Sequence, residues 1–278
     1  MKPYCFAQSE IKLSKEAAVH PLDIGLIRGY AIFDFFRTVG YHPLFLESYL
    51  ERFVGSAEKA GLPLDFDAMG LKEIIFKLIE KNDHFDAGIR MVLTGGISPN
   101  YFLPAKGDLF IFCEPLLLPS KEKYAKGVKL ISVEYVRPMA EIKTTNYTFP
   151  CWLSQDWKGQ QAEDVVYHQQ GRVSESSRSN IFLVKNGNIY TPKRDILKGI
   201  TRDKVLKIAG NVDITDFGMD DLLSADEVFI SSTTKRILPI TIIDNTRIGS
   251  GKPGNITQEL MDSFKKMEME EADLKKDL

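Results

Sequence analysis

Lys143 sits in AEIKTTNYTFP, a short polar segment that follows a strand-like run. Its primary amine can trap a carbonyl and then move protons, provided desolvation and nearby cations lower its proton affinity toward neutral pH. Glu175, in SESSRSNIFLV, stands just ahead of an apolar strand, where a carboxylate can stabilise a cationic group. GITRDKVLKIAG puts Ile200 and Thr201 at a helix start, where free N–H groups and the macrodipole favour a phosphate. The SSTT run at 231–234, with Thr233 and Thr234, is a hydroxyl-rich turn able to hold a second edge of the same phosphate. Arg52 offers a further anion ligand. Taken singly, each has a plainer reading. Lys143 is then a solvated lysine, Glu175 an exposed turn residue, Thr201 a helix cap, SSTT a polar strand end and Arg52 part of a solvated helix face.

The elements that must position these groups read as a mixed α/β (α+β) chain. A strand is expected near Tyr4–Gln8, and GYAIFDFFRT alternates as strands do. Leu46, Tyr49, Leu50, Phe53 and Ala57 recur at helical spacing up to Gly61, and a second helix is expected over Ala68–Asn82. GIRMVLTGG and GDLFIFCEPLLL are strand-like. The prolines of EPLLLPSK mark a linker, so the expected organisation is a small α/β domain (1–115), a linker (116–121) and a larger domain (122–278). After the linker come the strand VKLISVEYV, the Lys143 loop and a helix over Phe149–Gly159. Strands separated by QG and NG turns follow. GITRDKVLKIAG opens a helix, ADEVFISSTT and ILPITIIDN are strands, and the charged tail is a terminal helix. A cleft between the two domains is the expected place for a ligand.

Composition narrows the function classes. The 278 residues are 44% hydrophobic, with 36 Lys plus Arg against 38 acids and a net charge of -2. That is a globular profile with no global attraction to nucleic acid or an anionic membrane. Cys5, Cys113 and Cys151 are odd in number and widely spaced, and His20, His42, His84 and His168 form no ligand pattern, so neither a disulfide framework nor a metal site is expected. The chain start lacks an apolar signal core, and no apolar run approaches ~18 residues. A cytoplasmic location is the default.

The order of RGYAIFDFFRT, LxRFxxSAxxxGL, IRMVLTGG, IKTTNY, VSESSRSNIFLV, GITRDKV and ADEVFISSTT closely resembles the class IV aminotransferase family, from about Ile24 to Ile243. These fold type IV enzymes use pyridoxal 5′-phosphate (PLP) and include branched-chain aminotransferases, D-amino acid aminotransferases and aminodeoxychorismate lyase. The resemblance implies that Lys143 is the Schiff-base lysine and Glu175 the carboxylate on the pyridine nitrogen. Arg52, Ile200, Thr201 and Thr233 fall where the family holds the phosphate. Tyr147 is similar to the tyrosine that bonds the cofactor's O3′, although its spacing of four from the lysine differs by one from the branched-chain enzymes. Asn180 is implied to support the loop around Glu175. The resemblance further implies a homodimer acting on amino acids and 2-oxo acids, with the cofactor in the cleft.

The subfamily motifs depart from the familiar ones. Gly88 stands where branched-chain enzymes carry a tyrosine, and Asn100 and Phe102 stand where familiar D-amino acid enzymes carry an Arg-x-His pair. Arg28, Arg90 and Arg178 instead resemble a less common D-amino acid aminotransferase group in which arginines bind the substrate carboxylates, with Phe33 and Thr234 also at the substrate. The plainer reading of each arginine is a structural salt bridge. The expected reaction is transamination of D-amino acids such as D-Glu or D-Ala with 2-oxoglutarate. L-branched-chain transamination, favoured by an aromatic wall of Phe33, Phe35 and Phe36, and lyase activity are the alternatives. Lys143→Ala is expected to abolish the visible band of lysine-bound cofactor; an unchanged spectrum rules out Lys143 as the attachment point.

Overall fold

The computed structural model describes residues 2–83 and 86–273; His84 and residues 274–278 of the expected tail lie outside them. The chain divides into two compact units. The first runs to Leu117 and also takes in Ile142–Tyr147 and the end of the last helix from Glu270. The second comprises Leu118–Glu141 and Thr148–Met269. The changeover at Leu117/Leu118 falls within the stretch expected as linker, while the Lys143 segment groups with the first unit.

In the first unit the strands are β1 (Tyr4–Ala7), β2 (Glu10–Leu13), β3 (Ala31–Val39), β4 (His42–Pro43), β5 (Gly88–Thr94) and β6 (Leu109–Glu114). They form one sheet in the order β2-β1-β6-β5-β3-β4. The helices are α1 (Ile24–Ile27), α2 (Leu46–Lys59) and α3 (Ala68–Asn82). The period-2 pattern of β3 sends Ile32, Asp34 and Phe36 to a buried face and leaves Phe33 and Phe35 half-buried on the other. Helix α2 covers the buried side, its Leu46, Tyr49, Leu50, Phe53 and Ala57 all buried as their spacing requires. Phe36 packs on Tyr49 at 5.5 Å and is fully buried, so of the three aromatics expected as a wall it belongs to the core.

The second unit contains α4 (Lys121–Lys126), β7 (Val128–Glu134), α5 (Thr148–Gly159), β8 (Asp164–Gln169), β9 (Arg172–Ser176), β10 (Asn180–Lys185) and β11 (Asn188–Thr191). There follow α6 (Ile200–Ala209), β12 (Val212–Ile214), α7 (Met219–Leu223), β13 (Glu227–Ser232), β14 (Arg236–Ile243) and β15 (Thr246–Arg247). Helix α8 (Asn255–Asp273) starts in this unit. The sheet order is β12-β11-β10-β13-β14-β7-β8-β9, with β15 on β14. Because β9 also pairs with β10, through Glu175 and Asn180, the sheet closes on itself. Ile181, Leu183, Val228, Ile230, Leu238 and Ile240 fill one core cluster, and Phe182 stacks on its register partner Phe229 at 4.7 Å. Among the described residues no helix is long and apolar enough to cross a membrane.

Asp23 ties the first unit together locally. Its buried carboxylate caps α1 by accepting from Gly25 N–H (2.7 Å), and it also accepts from Thr94 Oγ1 (2.7 Å) and Gly96 N–H (3.2 Å). Asp23→Ala leaves these donors unpaired, and equilibrium denaturation is expected to register a loss of about 1–3 kcal/mol.

Candidate active site

Lys143 is held by strand-like pairing to the edge of the first sheet. Phe33 N–H donates to Lys143 O (2.9 Å), Thr145 N–H donates to Ala31 O (2.9 Å), and Ile32 bridges Thr144. This pairing fixes the backbone from the lysine to Thr145. The half-buried Lys143 ammonium lies over the Phe33 ring, 4.5 Å from its centroid, and Tyr147 meets the same ring edge-on at 5.6 Å. Three sequence-predicted residues thus converge on one aromatic face.

Arg90 lies on that face as well. Cross-strand register sets it between Phe35 of β3 and Phe112 of β6. Its guanidinium is 5.4 Å from the Phe33 centroid and 5.0 Å from that of Phe35, and it forms a two-pronged pair with Glu114 (2.6 and 3.1 Å). Gly88 precedes it on the same face, and the Phe35 ring comes within 2.5 Å of where a β-carbon at 88 would stand. A tyrosine there requires Phe35 to move. Arg28 is exposed at the end of α1, 4.9 Å above the Phe102 ring.

Arg52 is not part of a solvated helix face. Only 13% of its side chain is exposed, and it forms a bidentate pair with the fully buried Asp34 (Nε–Oδ2 2.9 Å, Nη2–Oδ1 2.6 Å). Burial alone would lower its proton affinity, but the Asp34 charge and hydrogen bonds outweigh that and hold it above the usual arginine value. Arg52 also packs over the Tyr49 ring at 5.3 Å and lies within electrostatic reach of Tyr147.

In the second unit, Glu175, Asn180 and Ser231 lie side by side across β9, β10 and β13. Glu175 is buried, not an exposed turn residue: Oε1 accepts from Arg137 Nε (2.9 Å) and Oε2 from Leu197 N–H (2.8 Å). Asn180 Nδ2 donates to Leu197 O (2.7 Å), so the two side chains grip both polar groups of one peptide residue ahead of α6. Gly199 is the N-cap of α6, with no side-chain cap, and a β-carbon there would collide with Asn180 Oδ1. Thr201 is therefore a buried residue of the first turn and not the cap. Thr233 and Thr234 are half-buried in the turn after β13, and Ser231 Oγ is buried with no hydrogen-bond partner among the described residues. An uncapped helix start, hydroxyls and a buried carboxylate suit an anionic group joined to a basic ring.

Four charged residues that the sequence reading missed support these side chains: Asp34, Arg137, Asp164 and Lys235. Asp164 and Lys235 form a buried ion pair at 2.5 Å. Burial pushes the Asp164 carboxyl upward, but Lys235 and Arg178, with the Ser177 hydroxyl, hold it below the usual carboxylate range. Arg178, expected at the substrate, is exposed between buried neighbours and reaches Asp164 Oδ2 only at 3.7 Å. The available signal was weak: a charge at the margin of an apolar strand, as in EDVVY and TTKRILPI. Among the described residues no group of His, Cys, Asp and Glu is arranged to hold a metal ion.

Residues 31–243 match the model of the amino-transferase class IV family. The D-alanine aminotransferase of Staphylococcus epidermidis is 31% identical over 272 residues, covering 94% of this chain and 96% of the relative. The branched-chain amino acid aminotransferase of Escherichia coli shares the fold with a TM-score of 0.89 at 24% identity, covering 96% of this chain and 95% of that one. The branched-chain aminotransferase of the thermophilic archaeon Thermoproteus uzoniensis, solved with norvaline, superposes with a TM-score of 0.87 at 24% identity, covering 98% and 96%. The chain belongs to the class IV aminotransferases. It is a PLP-dependent enzyme of the mixed α/β, fold type IV architecture.

Breaking the Asp34–Arg52 pair strands a largely buried guanidinium. Asp34→Ala is expected to cost about 3–5 kcal/mol in chemical denaturation, where an exposed pair would cost under about 1 kcal/mol.

Proposed function

We propose that this chain transfers amino groups from D-amino acids, D-glutamate or D-alanine, to 2-oxo acids such as 2-oxoglutarate in a ping-pong cycle. The observation that carries this reading is the arginine-bearing aromatic face of the first sheet. Arg90 is fixed between the Phe33 and Phe35 rings, and Glu114 engages two of its nitrogens. A guanidinium carries five N–H donors, so it retains donors for a carboxylate. Phe35 occupies the space that a branched-chain-type tyrosine at Gly88 would need. Arg28 and Arg178, both exposed, supply further positive charge for a substrate with two carboxylates. The relatives named D-alanine aminotransferase point the same way.

Pyridoxal phosphate, when bound, supplies the electron sink that makes the Cα–H of an amino acid acidic. In this reading Lys143 Nζ is the attachment point at rest; once displaced by the substrate amine, it carries the Cα proton. Glu175 keeps a proton on the ring nitrogen, and Tyr147 donates to the ring oxygen. Arg52, the first amides of α6 at Ile200 and Thr201, and the hydroxyls of Thr201 and Thr233 hold the phosphate. Asn180 fixes the peptide at Leu197, while Phe33 and Thr234 border the substrate. The departing 2-oxo acid is replaced by a second one, which receives the amino group through the reverse steps.

The working form in this reading is a homodimer. Its support is a group of exposed apolar side chains in the first unit, Leu22, Leu26, Ile97, Phe102 and Leu103, around the Asp23–Ile97 bridge. The proposed compartment is a reducing cytoplasm, in keeping with three free cysteines, of which Cys113 has its thiol pushed up to about 11 by burial. The second reading is L-branched-chain transamination, which the apolar Phe33 and Phe35 favour.

Adding D-glutamate and L-leucine separately to the PLP form, and following loss of its visible band to the pyridoxamine phosphate form, tests the choice. Conversion by D-glutamate is expected to be the faster; rapid conversion by L-leucine without D-glutamate turnover overturns the proposal in favour of the second reading.

A further inference from the structure

The Asp164–Lys235 pair joins two turns that carry proposed site residues. Asp164 opens β8 and is fully buried. Its Oδ1 accepts from Ser177 Oγ (2.5 Å) and Val165 N–H (2.9 Å), and its Oδ2 faces Lys235 Nζ (2.5 Å). Lys235 Nζ also reaches Ser179 Oγ (3.3 Å), and Lys235 N–H donates to Ser232 Oγ (3.3 Å). Ser177 and Ser179 flank Arg178, while Ser232 and Lys235 bracket Thr233 and Thr234. The guanidinium of Arg178 faces the same oxygen that Lys235 occupies, but at 3.7 Å and with 55% of its side chain exposed.

Two cations compete for one carboxylate oxygen. A buried carboxylate that loses its counterion must draw in another cation or take up a proton. Lys235 makes that close pair. The separation to Arg178 is too long for a hydrogen bond, so the arginine is aimed by Asp164 but not consumed by it. Without Lys235, Arg178 is the cation at hand, and its planar fork suits bidentate capture by the freed carboxylate. We propose that Lys235 is a positioning residue: by neutralising Asp164 it keeps the Arg178 guanidinium available for a substrate carboxylate. This rests on the reading of Arg178 as a substrate-binding residue.

The test uses the PLP holoenzyme and two probes: D-glutamate, through the concentration dependence of its half-reaction, and glutarate, a non-reacting dicarboxylate, through equilibrium binding. Melting temperature and cofactor content are recorded for every variant. Lys235→Met is expected to weaken apparent binding of both probes about tenfold or more, with a much smaller change in the limiting half-reaction rate. The double variant Asp164→Asn/Lys235→Met removes the carboxylate that would capture Arg178, and it is expected to bring binding back to within about threefold of wild type. A loss of binding in Lys235→Met that the double variant does not restore overturns the inference, as does unchanged binding in Lys235→Met. Should Lys235→Met fail to fold, the double variant decides alone: near-wild-type binding supports the inference and a tenfold loss overturns it. Arg178→Met tests the underlying reading separately. If it leaves binding of both probes unchanged, the substrate role of Arg178 fails, whatever the Lys235 variants do.

Discussion

A carboxylate taken out of water must be met on both oxygens, and the second unit is organised around that requirement at Glu175. Arg137 takes one oxygen and the Leu197 amide takes the other. Asn180, beside Glu175 in the sheet, takes the Leu197 carbonyl. The segment leading into α6 is thereby tied to two adjacent strands, and the helix start at Gly199 is placed relative to the carboxylate. The carboxylate proposed for the ring nitrogen and the helix start proposed for the phosphate thus share one frame. Catalytic preorganisation depends on such coupling, because a side chain fixed at one end only leaves its partner free to drift.

The first unit solves a related problem by different means. Its sheet has one face sealed by α2 and one face left half-open, and the alternation of β3 decides which residue goes where. Asp34 points to the sealed side and fixes Arg52, while Phe33 and Phe35 on the other side receive Lys143, Tyr147 and Arg90. Backbone pairing of residues 143–145 with β3 makes the lysine segment an extension of that sheet. One strand therefore organises both the buried Asp34–Arg52 pair and the lysine proposed as the reactive amine.

Most of the elements, and the types of the central side chains, were legible in the sequence. Hydrophobic spacing located α2 and α3, and the ordered motifs singled out Lys143 and Glu175. What stayed hidden was pairing at long range. Asp34 with Arg52, Arg137 with Glu175, and Asp164 with Lys235 are separated by 18, 38 and 71 positions, and each charge by itself resembles a solvated one. Burial reverses that reading, yet nothing local announces it. Thr201 illustrates the same limit: a threonine at a helix start suggests a cap, but the glycine two residues earlier takes that place because Asn180 leaves no room for a side chain. Phe36, too, shares its composition with the half-open face and its location with the core, since one step along a strand exchanges faces.

The parallel pairing of β7 with β14 has a consequence for how the chain is made. Val128 finds its partner at Ile240, so the sheet of the second unit cannot close until more than a hundred further residues have been synthesised. Until then β7 has a neighbour on one side only, in β8, and its other edge stays open. Non-local pairings of this kind slow folding and leave strand edges exposed on the way. The closed sheet that carries Glu175 and Asn180 thus forms only after most of the chain has been synthesised.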